Sequence, residues 1–124
     1  MGIVNRESDV LSACLQYLEL RRVFCWRSNN TPVYDSARKR YRAFRGLKGV
    51  SDILGVLPSG LFLAIEVKKS GGKKSIEQEW FIEQVRQLGG VAICVRSVTE
   101  LEEQLEPYLE TSRRTLPALM EPAC

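Results

Sequence analysis

Three stretches of the chain repeat apolar residues at helical spacing, and four carry short apolar or alternating runs. From Asn5 to Arg21, Glu7, Leu11, Cys14, Leu15 and Leu18 share one helical face, with Arg6, Ser8, Gln16 and Glu19 turned away. "VFCW", residues 23–26, is β-branched and aromatic and predicts a strand. Residues 27–49, "RSNNTPVYDSARKRYRAFRGLKG", predict a long loop, a feature that compact domains keep for function or mobility. "SDILGVL" and "LFLAIEVK" predict two strands joined at Pro58-Ser59-Gly60. After the break at "SGGKK", Ser75 opens a helix to about Leu88, with Ile76, Trp80, Phe81, Val85 and Leu88 as its apolar stripe and Gly89-Gly90 as its stop. "VAICV" predicts a buried strand, and Val98 to Leu109 a last amphipathic helix.

The predicted order is α-β-(basic loop)-β-β-α-β-α, an α/β domain around a small mixed sheet. At 124 residues the chain suits one domain. Residues 1–110 are expected to form it, with 111–124 as a flexible tail marked by Pro117 and Pro122. Nothing repeats internally.

Alternation along the strand "LFLAIEVKK" puts Leu61, Leu63, Ile65 and Val67 on one face, and Phe62, Ala64, Glu66 and Lys68 on the other. The first face is wholly apolar and belongs to the core. The second ends in an acid and an amine, roughly 7 Å apart along the backbone. With the turn centred on Ser59, Asp52 lies directly across from Glu66; half a residue later, it would face Val67 instead. In the first register two carboxylates meet on a half-buried surface, which is destabilising unless one is protonated or a cation sits between them. A surface ion pair of Glu66 with Lys68, and Asp52 as a strand opener after Gly49, is the plainer account of the same residues.

Composition narrows the chemistry. The chain has no histidine, which removes Ser-His-Asp and Cys-His catalysis and HExxH metalloproteases. Cys14, Cys25, Cys94 and Cys124 form no C-x-x-C, and the first three sit among apolar residues as expected buried free thiols. Oxygen-only ligands select a hard ion, Mg²⁺ or Mn²⁺. Such an ion lowers the pKa of water and binds phosphate oxygens, so the set reads as phosphodiester hydrolysis. Hydrophobic (44%) and charged (27%) contents are those of a soluble globular protein. No apolar run approaches a membrane span, and "MGIVNRESD" lacks a signal-peptide core, so a cytoplasmic protein is expected, without a membrane or small-molecule cofactor.

The net charge of +3 is concentrated in one segment. Arg38, Lys39, Arg40, Arg42, Arg45 and Lys48 stand between Ser36 and Ser51 with no acid among them. Such a cluster points to a polyanion, with phosphate contacts that carry no sequence information; a solvated surface loop is the plainer reading. Tyr41 and Phe44 either stack on an unpaired base or pack the loop down. Arg27, Asn29 and Asn30 are further candidates for phosphate contacts.

Asp52, Glu66 and Lys68, spaced D-x13-E-x-K in "SDILGVLPSGLFLAIEVKK", resemble the PD-(D/E)xK nuclease signature. "EVKKSGGKKSIEQEWFIEQVRQLGGVAICVRS" is similar to the VRR-Nuc branch: E-V-K, a short loop, Ser and Gln opening a helix, G-G, and a strand running into V-R-S. The likeness spans roughly Glu7 to Leu109. It implies a restriction-endonuclease-like core and a metal-dependent DNA endonuclease. Small members of the family resemble Holliday-junction resolvases that act as homodimers on four-way junctions. It also implies catalytic roles for Asp52, Glu66, Lys68, Gln78 and Glu7. A metal would be held by Asp52, Glu66 and the Val67 carbonyl, with Glu7 joining through water. Serine at position 51 departs from the family's usual proline. From the residues themselves, Glu7 is also a helix-start acid favoured by the macrodipole, and Ser75-Ile76-Glu77-Gln78 is also a capping box. Two rival functions stand beside a junction endonuclease: a nicking or restriction-like duplex nuclease, and a catalytically silent DNA-binding module.

Overall fold

The computed structural model describes residues 6–28, 34–41 and 46–115. Helix α1 (Glu7–Leu20) leads into strand β1 (Phe24–Arg27). The short strands β2 (Tyr34–Asp35) and β3 (Arg40–Tyr41) follow, then β4 (Ile53–Val56), β5 (Phe62–Val67), α2 (Ile76–Gln87), β6 (Val91–Val95) and α3 (Val98–Thr115). The main sheet runs β1-β4-β5-β6; β1-β4 and β4-β5 are antiparallel, and β5-β6 is parallel. This is the expected α/β order around a small mixed sheet.

The hairpin β4-β5 sets the register on which the site depends. Leu57 N–H donates to Leu61 O (2.9 Å) and Gly60 N–H to Leu57 O (2.8 Å), with Gly60 at φ +92°. Proline at the first turn position and a left-handed glycine at the third close a three-residue loop that admits one pairing. Ile53 faces Ile65, Leu54 faces Ala64 and Val56 faces Phe62. One step further, that pairing carries Asp52 across from Glu66, as a turn centred on Ser59 requires.

The two sheet faces are covered unequally. On one, Ile53, Leu63, Ile65, Val67, Ile93 and Val95 pack against α1 and α3 through Leu11, Cys14, Leu18, Leu101 and Leu105. Each such buried side chain contributes about 1.5–3 kcal/mol. Arg21 and Glu106 close the helix pair with a 2.5 Å ion pair, and Tyr17 Oη donates to Glu106 at 3.1 Å. On the other face, Ala64, Ala92 and Leu54 pack with α2 through Phe81, Ile82 and Val85, joined by Val50.

Four expectations need correction. The buried stripe of α2 is Phe81, Ile82 and Val85, while Ile76, Trp80 and Leu88 are exposed, because the sheet meets the helix one position round from the expected face. Leu61 is exposed rather than in the core, since it belongs to the turn exit and not to the strand. The long loop contains a hairpin: Asp35 Oδ1 accepts from Ala37 N–H (3.0 Å) and Arg38 N–H (3.2 Å), an aspartate turn between strands too short to show a period. Finally, α3 continues to Thr115 rather than ending at Leu109, carrying Pro107 inside it. Cys14 is buried, Cys25 and Cys94 are half-buried, and all three are free thiols; Cys124 lies outside the described residues. Among the described residues no helix is long and apolar enough to cross a membrane.

Candidate active site

Asp52 and Glu66 stand at the end of the sheet where β4 begins and β5 finishes. Asp52 is anchored by its surroundings: its Oδ2 accepts from Val67 N–H at 2.8 Å, and its carbonyl accepts from Ser28 N–H at 2.8 Å. Glu66 is only 1% exposed, an unusual place for a carboxylate. Its Oε1 accepts from Gln78 Nε2 at 3.1 Å, and its Oε2 is buried with no hydrogen-bond partner among the described residues.

Burial first, and then the charge of Asp52, push the Glu66 carboxyl up to about 8; Lys68 acts the other way, and Glu7 adds to the rise. As a carboxylate, Glu66 would leave its Oε2 without a donor among the described residues and its charge beside that of Asp52. The pair therefore calls for a proton or a cation. The donor set is all oxygen, which suits a hard divalent ion. Among the described residues no three His, Cys, Asp or Glu side chains gather into a metal-binding group. Two carboxylates, one of them with an orphaned oxygen, fit such an ion; the Val67 carbonyl and Glu7 would have to complete the set.

Gln78 resolves an ambiguity in the sequence. Its N–H donates to Ser75 Oγ (3.1 Å), its Oε1 accepts from Ser75 N–H (2.9 Å), and its Nε2 reaches Glu66. One amide caps α2 and supports the buried acid. Glu7 is half-buried at the start of α1, near enough for its charge to act on Glu66. Lys68 is half-buried and continues the ladder by donating its N–H to Val95 O at 2.9 Å.

The basic segment is tied to this end of the sheet on both sides. It leaves β1 at Ser28, which bonds to Asp52, and returns at Gly49. Gly49 has φ +82°, and a Cβ there would overlap the Glu77 carbonyl and come within 2.7 Å of Gln78 N. Only glycine lets the returning chain lie against the start of α2. Arg38, Lys39 and Arg40 form the exposed tip and flank of the small hairpin; Arg38 is 3.9 Å from Asp35. Arg27 and Lys48 are exposed. Asn29, Asn30, Arg42, Phe44 and Arg45 lie outside the described residues. Sequence reasoning read Ser51 only as a departure from proline and passed over the lysines that follow Lys68; Ser51 is wholly buried beside Asp52, its hydroxyl without a hydrogen-bond partner among the described residues. The lysines are legible as K-K-S-G-G-K-K once "SGGKK" is read for charge as well as for breaks.

An apolar cavity of about 440 Å³, lined by Leu61, Phe62, Trp80 and Leu88, lies at the opposite end of β5. It is about 13 Å from Glu66 by strand rise and plays no part in this chemistry.

No family model matches the chain, and no curated protein matches it. Among solved structures, the chain is similar to one titled "VRR_NUC domain protein", with a TM-score of 0.64 and 15% identity over 87% of this chain and 91% of that one. The two share a fold.

Proposed function

We propose that this protein is a Mg²⁺- or Mn²⁺-dependent endodeoxyribonuclease that hydrolyses phosphodiester bonds in branched DNA, four-way junctions above all. The observation that carries this reading is the buried Glu66 beside Asp52, with an oxygen that no group among the described residues satisfies, at a sheet end bordered by basic residues. The shared fold with a VRR_NUC domain protein adds support.

Asp52, Glu66 and the Val67 carbonyl would hold the ion, with Glu7 reaching it through water. Bound there, it would supply a lowered water pKa and neutralise phosphate charge. Gln78 keeps Glu66 in place. Lys68 orients the attacking water and offsets charge that builds up on the phosphate. Arg38, Lys39, Arg40, Arg42, Arg45 and Lys48, with Arg27 and Asn29, hold the backbone of the DNA.

The test is incubation with labelled four-way junction and matched duplex in Mg²⁺, Mn²⁺ or EDTA. Metal-dependent cutting of the junction is expected, and Asp52→Ala should abolish cutting while DNA binding persists. Equal cutting of both substrates would leave a duplex nuclease; binding without cutting in any metal would leave a silent DNA-binding module.

A further inference from the structure

Eight residues, Lys68 to Ser75, join β5 to α2, starting two positions after Glu66, and four of them are lysines. The turn they make is built rather than loose. Gly71 has φ +80°, and Gly72 N–H donates to Lys69 O at 2.9 Å. The same carbonyl accepts from the Arg96 guanidinium at 2.6 Å. Arg96 is itself fixed, its backbone N–H donating to Glu100 Oε2 at 2.7 Å, while Glu100 N–H donates to Ser97 Oγ at 3.1 Å. The turn is thereby held to the end of β6 and the start of α3.

Lys69, Lys73 and Arg96 are exposed and Lys74 is half-buried. Among the described residues none of the five cations, Lys68 included, pairs with a carboxylate. Cys94, the partner of Glu66 on β6, feels the positive charges of Lys74, Arg96 and Lys68 together, so these groups surround one corner of the sheet. A cluster of like charge that makes no ion pair among the described residues suits a polyanion. The basic segment leaves the main sheet from its β1 edge, whereas this turn leaves it at β5, next to the β6 edge. Four strands at about 4.8 Å spacing span about 14 Å, which matches about four nucleotides at 3.4 Å each.

We propose that the 68–74 turn, braced by Arg96, is a second phosphate-binding lobe that grips the DNA backbone on the β6 side of the carboxylates. Substrate then crosses the sheet end with the scissile phosphate held from both sides. This rests on the nuclease reading above.

Binding of a fluorescein-labelled four-way junction, followed by anisotropy in Ca²⁺ between 50 and 200 mM KCl, tests it. Lys73→Ala/Lys74→Ala should weaken binding about tenfold or more at low salt and reduce the slope of log K against log salt by about one to two, as for one or two lost phosphate contacts. Lys73→Arg/Lys74→Arg should restore both, and thermal unfolding should match the wild type. A double-alanine variant with unchanged affinity and slope overturns the lobe, and leaves the nuclease reading intact if the wild type cuts junctions. Lost affinity in a protein that cuts nothing supports the lobe and removes the nuclease. A wild type without DNA affinity overturns both.

Discussion

Glu66 concentrates the chemistry of the molecule in one side chain. Its carboxyl, raised from 4.5 to about 8, keeps a proton that the unfolded chain releases. The folded state therefore binds the extra proton between those values, and metal-free stability must fall as pH rises through that window. At about 1.36 kcal/mol per unit, the loss amounts to several kcal/mol. Urea unfolding in EDTA at pH 5 and pH 8 should show it. Glu66→Gln, neutral throughout, should flatten the dependence, and parallel curves for the two proteins would refute the assignment. Mg²⁺ or Mn²⁺ should restore wild-type stability at pH 8 by binding the folded state, and should do little for Glu66→Gln.

At the scale of elements, the start of α2 is where structure and site share parts. Ser75 serves only the cap, whereas Gln78 serves the cap and Glu66. Ser75→Ala should cost about 1 kcal/mol and leave single-turnover cleavage within a few-fold of wild type. Gln78→Ala should cost a similar amount and also slow cleavage tenfold or more, because Glu66 Oε1 loses its donor. Equal kinetic effects of the two would reduce Gln78 to a helix cap. The two glycines that end α2 act differently: Gly89 supplies a left-handed φ of +91° in open space, and Gly90 lets Val85 and the Phe62 carbonyl approach closely. The N–H groups of Gly89 and Gly90 donate to Arg86 O and Val85 O.

For the whole molecule, the described helices divide unequally between the two faces of the main sheet. With α1 and α3 on one side, α2 leaves part of the other open, where Phe24 and Trp26 pack at 5.6 Å between ring centroids and remain exposed. Trp26 and Trp80 are 43% and 48% exposed, and they are the chain's two tryptophans. The proposed junction cleavage would call for two sites related by a two-fold axis, so a homodimer is expected. Sedimentation should return twice the 14.1 kDa chain mass, and tryptophan emission should shift to the red on dilution as this face is released. A monomeric mass at working concentration would remove the dimer.

Periodicity determined the order of the main elements, because alternation and the 3.6-residue repeat record which faces are buried. The turn Pro58-Ser59-Gly60 determined the pairing of Asp52 with Glu66, since a three-residue loop with a left-handed glycine permits one register. Local pattern could not determine which stripe of α2 meets the sheet: Ile76, Trp80 and Leu88 are as apolar as Phe81, Ile82 and Val85, and docking alone chose between them. Nor could it reveal the orphaned oxygen of Glu66, the brace from Arg96 to Lys69, or the seat of Gly49 on α2. These join residues distant in the chain, and only tertiary packing brings their atoms within a few ångströms.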